Sequence, residues 1–223
     1  MGHILRKDGT DDAPLDPIRP AARLQGRRGP PAPSDSAYEP DLAVVSTRYV
    51  YVDESKRTGY VLAATTVPDP EAARRVIRSL ILPGQRRLHM KHEQPRRRRA
   101  IVSALVATPV EATIYDAGRG YPTDLAAREA CLRALIEDLA KADNGEVQLV
   151  IEQDDSLVRS DRHELYRLVR QAGVTEILEY RHRRANEEPL LALPDVVAWC
   201  WVRSGDWRRR IKPILTAARR IDP

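Results

Sequence analysis

The chain has 223 residues, of which 42% are hydrophobic, so it is long enough for one sizeable domain and a tail. Its net charge of +5 comes mainly from arginine, which favours a phosphate-rich partner, although codon usage rich in arginine explains the same composition. Cys131 and Cys200 fall in apolar helical patterns, which argues against disulfides and cysteine metal sites. No apolar run is long enough to span a bilayer, which argues against a membrane protein. Because the N-terminus also lacks the apolar core of a signal peptide, we expect a cytoplasmic location.

The first forty residues have a different composition from the rest. They contain seven of the 17 prolines, together with six basic and six acidic residues, and they show no hydrophobic period. Such a composition cannot bury a core. We therefore predict a disordered tail over residues 1–43 and a folded domain over residues 44–223.

The domain opens with a predicted hairpin. Residues 49–53 are aromatic, β-branched or acidic, and residues 60–67 form a second run typical of a strand. The first strand ends in Asp53 and Glu54, which alternation places on opposite faces of the sheet. A buried strand has no packing reason to end in two carboxylates.

A helix over residues 70–82 and a very basic stretch come next. Residues 88–93 suggest a short extended segment, and Pro95 suits the first position of a helix. The four arginines at 96–99 then occupy a helix start, where the macrodipole disfavours cations. Two interpretations stay open: they bind an anion together with the free helix N–H groups, or they form a solvated face paired with Glu93.

The remainder alternates strands and helices, which indicates an α/β mixed sheet flanked by helices. We predict strands over 110–115, 147–152 and 177–182. The predicted helices run from Thr123 to 142, from 160 or 161 to about 172, and after Pro189 to 202 or 203. A last basic helix is predicted to contain Trp207 and Leu215, while Trp199 and Trp201 are predicted to lie in the core.

Acidic side chains follow the first and central strands and recur on the penultimate helix. We predict that Asp53, Glu152 and Asp195 converge, with Glu54 and Asp154 as further candidate ligands. Crowded carboxylates repel each other, and a hard divalent cation such as Mg²⁺ or Mn²⁺ is the simplest group that stabilises them. One or two such ions typically serve phosphodiester hydrolysis. The open alternatives are a turn role for Asp53 and Asp154 and a helix-dipole role for Asp195.

Several segments together resemble a known family. The sequences YVYVDES, LHMKHE, VQLVIEQDD and PLLALPDVVAWC are similar to uncharacterised bacterial proteins whose domain begins with an Asp-Glu-Ser-Gly strand, and which are placed in the ribonuclease-H-like superfamily. The resemblance implies that fold, and it implies that Asp53, Glu152 and Asp195 bind the metals and Lys91 acts beside them. The sequence departs from the family at Lys56, His89 and Pro194.

The basic residues suggest a nucleic acid, RNA or DNA, as partner. The predicted phosphate contacts are Arg86, Arg87, Arg96, Arg97, Arg98, Arg99, Arg183 and Arg184. His182 is predicted either as a structural histidine or as a general base. Three functions follow: a metal-dependent nuclease, a nucleic-acid-binding or regulatory module without cleavage, and a module whose basic face meets an acidic protein partner.

Overall fold

The computed structural model describes residues 47–142 and 145–223 of the chain. The tail predicted over residues 1–43 lies outside the described residues and stays a prediction. The predicted domain is therefore described from Thr47 onward.

One sheet of six strands organises the domain, in the order β5-β4-β1-β2-β3-β6. β1 is antiparallel to β2 and β2 to β3, whereas the pairs β1–β4, β4–β5 and β3–β6 are parallel. The predicted hairpin is confirmed. The strands are β1 (Arg48–Ser55), β2 (Tyr60–Val67), β3 (Glu111–Gly118), β4 (Val147–Glu152), β5 (Leu178–Arg183) and β6 (Leu215–Arg220).

Within residues 47–142 and 145–223, six α-helices cover the sheet, and side chains cap the starts of two of them. Asp69 and Thr123 accept hydrogen bonds from the backbone N–H groups of Ala72 and Ala126, which satisfies donors left free at a helix start. Pro95 occupies the first position of its helix, as predicted. The helices are α1 (Pro70–Leu80), α2 (Pro95–Val106), α3 (Asp124–Lys141), α4 (Val158–Gln171), α5 (Ala192–Arg203) and α6 (Gly205–Ile211). No helix in the described part of the chain is long and apolar enough to cross a membrane.

The two faces of the sheet form two separate cores. On one face Tyr51 and Val150 pack with apolar side chains of α1, α2 and α5. On the other face Val50 and Val52 pack with side chains of α3 and α4. The predicted α/β class, a mixed sheet flanked by helices, is thus confirmed, and its placement in the ribonuclease-H-like superfamily stays a prediction. Alternation along β1 places Asp53 on the α5 face.

The C-terminal part differs from the prediction. The predicted last helix ends at Ile211, and after a 3₁₀ turn at Lys212–Ile214 the chain forms β6 beside β3. Pro213 lies in that 3₁₀ turn, which separates α6 from the strand. Four of the six residues of β6, LTAARR, are alanine or arginine, and they give no apolar alternation because β6 is a largely exposed edge strand.

The turn between β1 and β2 requires its glycine. Gly59 has a φ of 119°, and a Cβ placed there would lie 2.4 Å from the carbonyl oxygen of Gly118. Any other residue would clash with the backbone of β3. The turn that follows Asp53 and Glu54 is therefore held close against the neighbouring strand.

Candidate active site

Two carboxylates lie side by side at the ends of parallel strands. The register pairs Val52 of β1 with Ile151 of β4, so the next residues are Asp53 and Glu152. Val150 and Tyr51 belong to the core under α5, and alternation therefore directs both acids to that same face. Asp53 is only 8% exposed.

The third carboxylate comes from α5, which packs across β1. Asp195 lies in the first turn of this helix. Its Oδ1 is 2.9 Å from Nδ1 of His89, and its Oδ2 accepts a hydrogen bond of 2.8 Å from the backbone N–H of Met90. Asp195 is thus held by a segment outside its own helix and does not act only as a helix-terminal charge.

A short 3₁₀ turn at Met90–His92 holds His89 in this position. Met90 is fully buried in the core of the α5 face. The extended segment predicted over residues 88–93 is therefore wrong for its central residues. Burial of Leu88 and Met90 fixes the backbone on both sides of His89, and it directs the imidazole toward Asp195.

The three acids meet in one cavity of about 670 Å³. Burial raises the pKa of Asp53 well above its ordinary value, and the negative charges of Glu152, Asp195 and Glu54 raise it further. The backbone N–H of Glu54 donates a hydrogen bond of 2.7 Å to Asp53 Oδ1, and this bond lowers the pKa of Asp53. The cavity is lined by Asp53, Glu54, Lys56, Arg87, His89, Glu152, Gln153, Asp154, Asp155, Ser156 and Asp195.

Basic side chains accompany the acids around Asp53. Nη1 of Arg87 lies 2.6 Å from Oε1 of Glu152, and His89 contacts Asp195. Lys56 Nζ lies 3.3 Å from Glu54 and 3.9 Å from Asp154. Lys56 and His89, two of the three departures from the family pattern, thus face the acids directly.

The donor set fits a hard divalent cation in chemistry. Carboxylate oxygens are its preferred ligands, and a bound cation would reduce the repulsion between Asp53 and the neighbouring carboxylates. As the side chains stand in residues 47–142 and 145–223, however, no three or more His, Cys, Asp or Glu form a group close enough to hold a metal ion. Binding a cation therefore requires side-chain movement, with Arg87 as the group to be displaced from Glu152.

Glu54 lies on the opposite face of β1, as alternation predicts. Its Oε2 is 2.5 Å from Nη1 of Arg128, an α3 side chain that is only 1% exposed. Arg128 also donates two hydrogen bonds to Asp161, at 2.8 and 2.7 Å, and one to Tyr60 Oη. This buried network positions Glu54 at the edge of the cavity.

His182 belongs to the same network. Its Nε2 lies 3.2 Å from Oδ2 of Asp161, and its side chain is almost completely buried. Burial works to raise the pKa of Asp161, but the hydrogen bonds from His182 and Arg128 lower it below its ordinary range. The structural interpretation of His182 is therefore favoured over a general base.

The remaining candidates are distributed differently. Asp154 lines the cavity, but its Oδ1 accepts hydrogen bonds from the N–H and hydroxyl of Ser156, the pattern of a turn residue. Lys91 is exposed and lines a neighbouring cavity instead of the carboxylate cavity. Their roles as ligand and catalytic group stay predictions.

The predicted nucleic-acid contacts form two groups. Arg87, Arg97 and Arg184 already pair with Glu152, Glu93 and Asp155 respectively. Arg98 donates to the carbonyl oxygens of Met90 and Lys91. The pairing of the helix start with Glu93 is thus observed for Arg97, while Arg86, Arg96, Arg99 and Arg183 are exposed and stay candidates for phosphate contacts.

Sequence reasoning missed two features of this region. Trp199, predicted to lie in the core, is only partly buried and lines the neighbouring cavity. Arg87 and His89 were not predicted as partners of Glu152 and Asp195. Both residues lie in the most basic stretch of the chain, between two helices, and this position was the available signal that they could pair with the acids.

Comparison with known proteins gives a partly similar solved structure. The crystal structure of Bst-RNase HIII in complex with Mn²⁺ is similar to 70% of this chain, with 18% sequence identity and a TM-score of 0.41. The match covers 52% of that protein, so the chain spans about half its length. No protein-family model and no curated protein matches the sequence. The resemblance to the Asp-Glu-Ser-Gly family therefore stays a prediction.

Proposed function

We propose that the chain is a divalent-metal-dependent nuclease that hydrolyses phosphodiester bonds in RNA or DNA. The observation that carries the proposal is that Asp53, Glu152 and Asp195, from three different elements, line one cavity. A pKa of Asp53 that is raised by burial and then by neighbouring carboxylates is typical of a functional site. Nothing in the packing of β1 needs a carboxylate at this position.

Asp53, Glu152 and Asp195 would hold Mg²⁺ or Mn²⁺. When bound, such an ion supplies an activated water and neutralises charge on the leaving oxygen. Arg87 is then free to leave Glu152 and contact a substrate phosphate, for which its planar guanidinium is suited. His89 keeps Asp195 oriented through Nδ1.

A second candidate function is a nucleic-acid-binding module without cleavage. The Arg87–Glu152 and His89–Asp195 pairs favour it, because they engage two of the three acids without a metal. In that case the carboxylates serve the fold, and the basic surface alone meets the nucleic acid. A protein partner stays a third alternative that charge alone supports.

Cleavage assays separate these functions. We expect the purified chain to cleave labelled single-stranded or duplex RNA or DNA in Mg²⁺ or Mn²⁺ and not in EDTA. Asp53→Asn should lower the rate at least about 100-fold, because metal-assisted charge stabilisation is worth several kcal/mol. Asp124→Asn, which changes an exposed carboxylate on α3, is the matched control and should keep the wild-type rate.

Two outcomes contradict the nuclease proposal. One is cleavage that is equally fast in Asp53→Asn. The other is salt-sensitive binding of nucleic acid with no turnover in either metal, which selects the binding module.

A further inference from the structure

A second cavity, of about 470 Å³, adjoins the carboxylate cavity. Glu54, Lys56, His89 and Asp195 line both cavities, so the two are continuous around these side chains. Helix α5 lines the second cavity through Ala198, Trp199, Val202 and Arg203. A polymer bound at the three acids would therefore also lie next to this second cavity, which we call the groove.

Cations without acidic partners surround the groove. Arg57, Lys91 and Arg203 line it, and none of them forms an ion pair with a carboxylate in the described ranges 47–142 and 145–223. Desolvation beside the Trp199 ring lowers the pKa of Arg203, and the nearby positive charges of Arg57 and Arg98 lower it further. The two acids on the shared rim are already engaged: Glu54 by Arg128 and Lys56, and Asp195 by His89. The groove thus presents unneutralised positive charge that favours an anion.

An aromatic platform lies among these cations. The guanidinium carbons of Arg98 and Arg203 each lie 5.0 Å from the centroid of the Trp199 ring. Trp207 meets the ring edge-on at 5.0 Å, which supports it from the side of α6. Arg203 is exposed and can leave the ring for a phosphate. An indole ring or a guanidinium plane beside phosphate-binding cations is how proteins stack nucleobases.

We propose that this groove binds an unpaired nucleotide of a single-stranded nucleic acid whose backbone continues into the carboxylate cavity. The base stacks on the Trp199 ring in place of Arg203, and Arg57, Lys91 and the released Arg203 contact the phosphates. A duplex does not suit this groove, because the faces of its bases are covered by their neighbours. The inference deepens the proposed function by naming its substrate class, and the binding it describes is measurable without cleavage.

The test is fluorescence anisotropy in EDTA, with labelled single-stranded RNA and DNA oligonucleotides of one sequence and their duplexes. Trp199→Ala should weaken single-strand binding roughly 5- to 100-fold, the effect of losing one stacked base. Trp199→Phe keeps an aromatic face and should restore most of that affinity. Trp201→Ala, on the same helix but outside the groove, is the control and should keep the wild-type dissociation constant.

Charge is tested separately with Arg203→Gln, an exposed position that leaves the core intact. The slope of log affinity against log salt for single strands should fall by about 0.7, the loss of one phosphate contact. Melting curves confirm that each variant is folded. The RNA and DNA arms show which strand chemistry the groove prefers.

The inference is overturned if Trp199→Ala leaves single-strand affinity within about twofold of wild type, or weakens duplex binding to the same extent. Its failure is distinguishable from that of the proposed function. Binding that depends on Trp199, without cleavage in Mn²⁺, supports the groove and removes the nuclease. Cleavage in Mn²⁺ together with binding that does not change in Trp199→Ala supports the nuclease and removes the groove.

Discussion

Replacing Arg128 by Leu should destabilise the fold more than replacing any surface arginine. The guanidinium is 1% exposed and donates hydrogen bonds to Asp161, Glu54 and Tyr60. Leucine fills part of the volume but offers no donor. Asp161, whose side chain is 2% exposed, would then be a buried carboxylate without its guanidinium partner.

The size of the effect follows from this geometry. Removing one member of a buried ion pair costs about 3–5 kcal/mol, because the remaining charge is left in an apolar surrounding. Asp161 would keep His182 at 3.2 Å, so we expect the lower end, about 3 kcal/mol. For a chain of this size the melting temperature should fall by about 6–12 °C.

Urea denaturation followed by circular dichroism measures this loss. Arg209→Leu is the control: its side chain is 76% exposed and pairs with Asp206, which is itself 55% exposed, so it should cost at most about 1 kcal/mol. The double variant Arg128→Leu with Asp161→Leu should cost less than the sum of the two single changes, because it leaves no buried unpaired acid. A loss below about 1 kcal/mol for Arg128→Leu would refute the reasoning.

Two further predictions concern the carboxylate cavity. Folding raises the pKa of Asp53 above its ordinary value of 3.8, so protonation of this side chain stabilises the fold. That stabilisation is fully present below about pH 3.8 and is lost as the pH rises through the pKa of the folded state. In EDTA, Asp53→Asn should therefore melt above wild type at neutral pH and converge with it near pH 3.8, and melting curves over a pH series check this; a constant difference would contradict it. Arg87→Gln should tighten Mn²⁺ binding in calorimetry by up to about fivefold, because the partly exposed pair with Glu152 no longer has to open; unchanged or weaker binding would show that Arg87 does not compete with the metal.

Alternation along the strands made much of the site predictable. Asp53 and Glu152 each follow an apolar strand, and counting residues places both on one face of the sheet, as observed. Glu54 falls on the other face for the same reason. Local capping by Asp69 and Thr123 was equally readable, because a cap depends only on residues three positions apart.

Contacts between distant segments could not be predicted in this way. His89 meets Asp195 across 106 positions of sequence, and no local pattern encodes that meeting. Trp199 resembles a core residue because its neighbours on α5 are apolar, yet the helix turns its ring to the groove. The strand β6 carries no apolar period in its own sequence. Its extended conformation comes from pairing with β3 and from the 3₁₀ turn that ends α6.

The pairing of β6 with β3 has a consequence for synthesis on the ribosome. Thr216 donates a hydrogen bond to the carbonyl oxygen of Ala112, 104 residues earlier in the chain. The outer edge of β3, with the buried residues Ala112 and Ile114, therefore emerges long before the strand that covers it. Open edges of this kind recruit other chains, so the nascent protein is exposed to misassembly until its last strand has been translated.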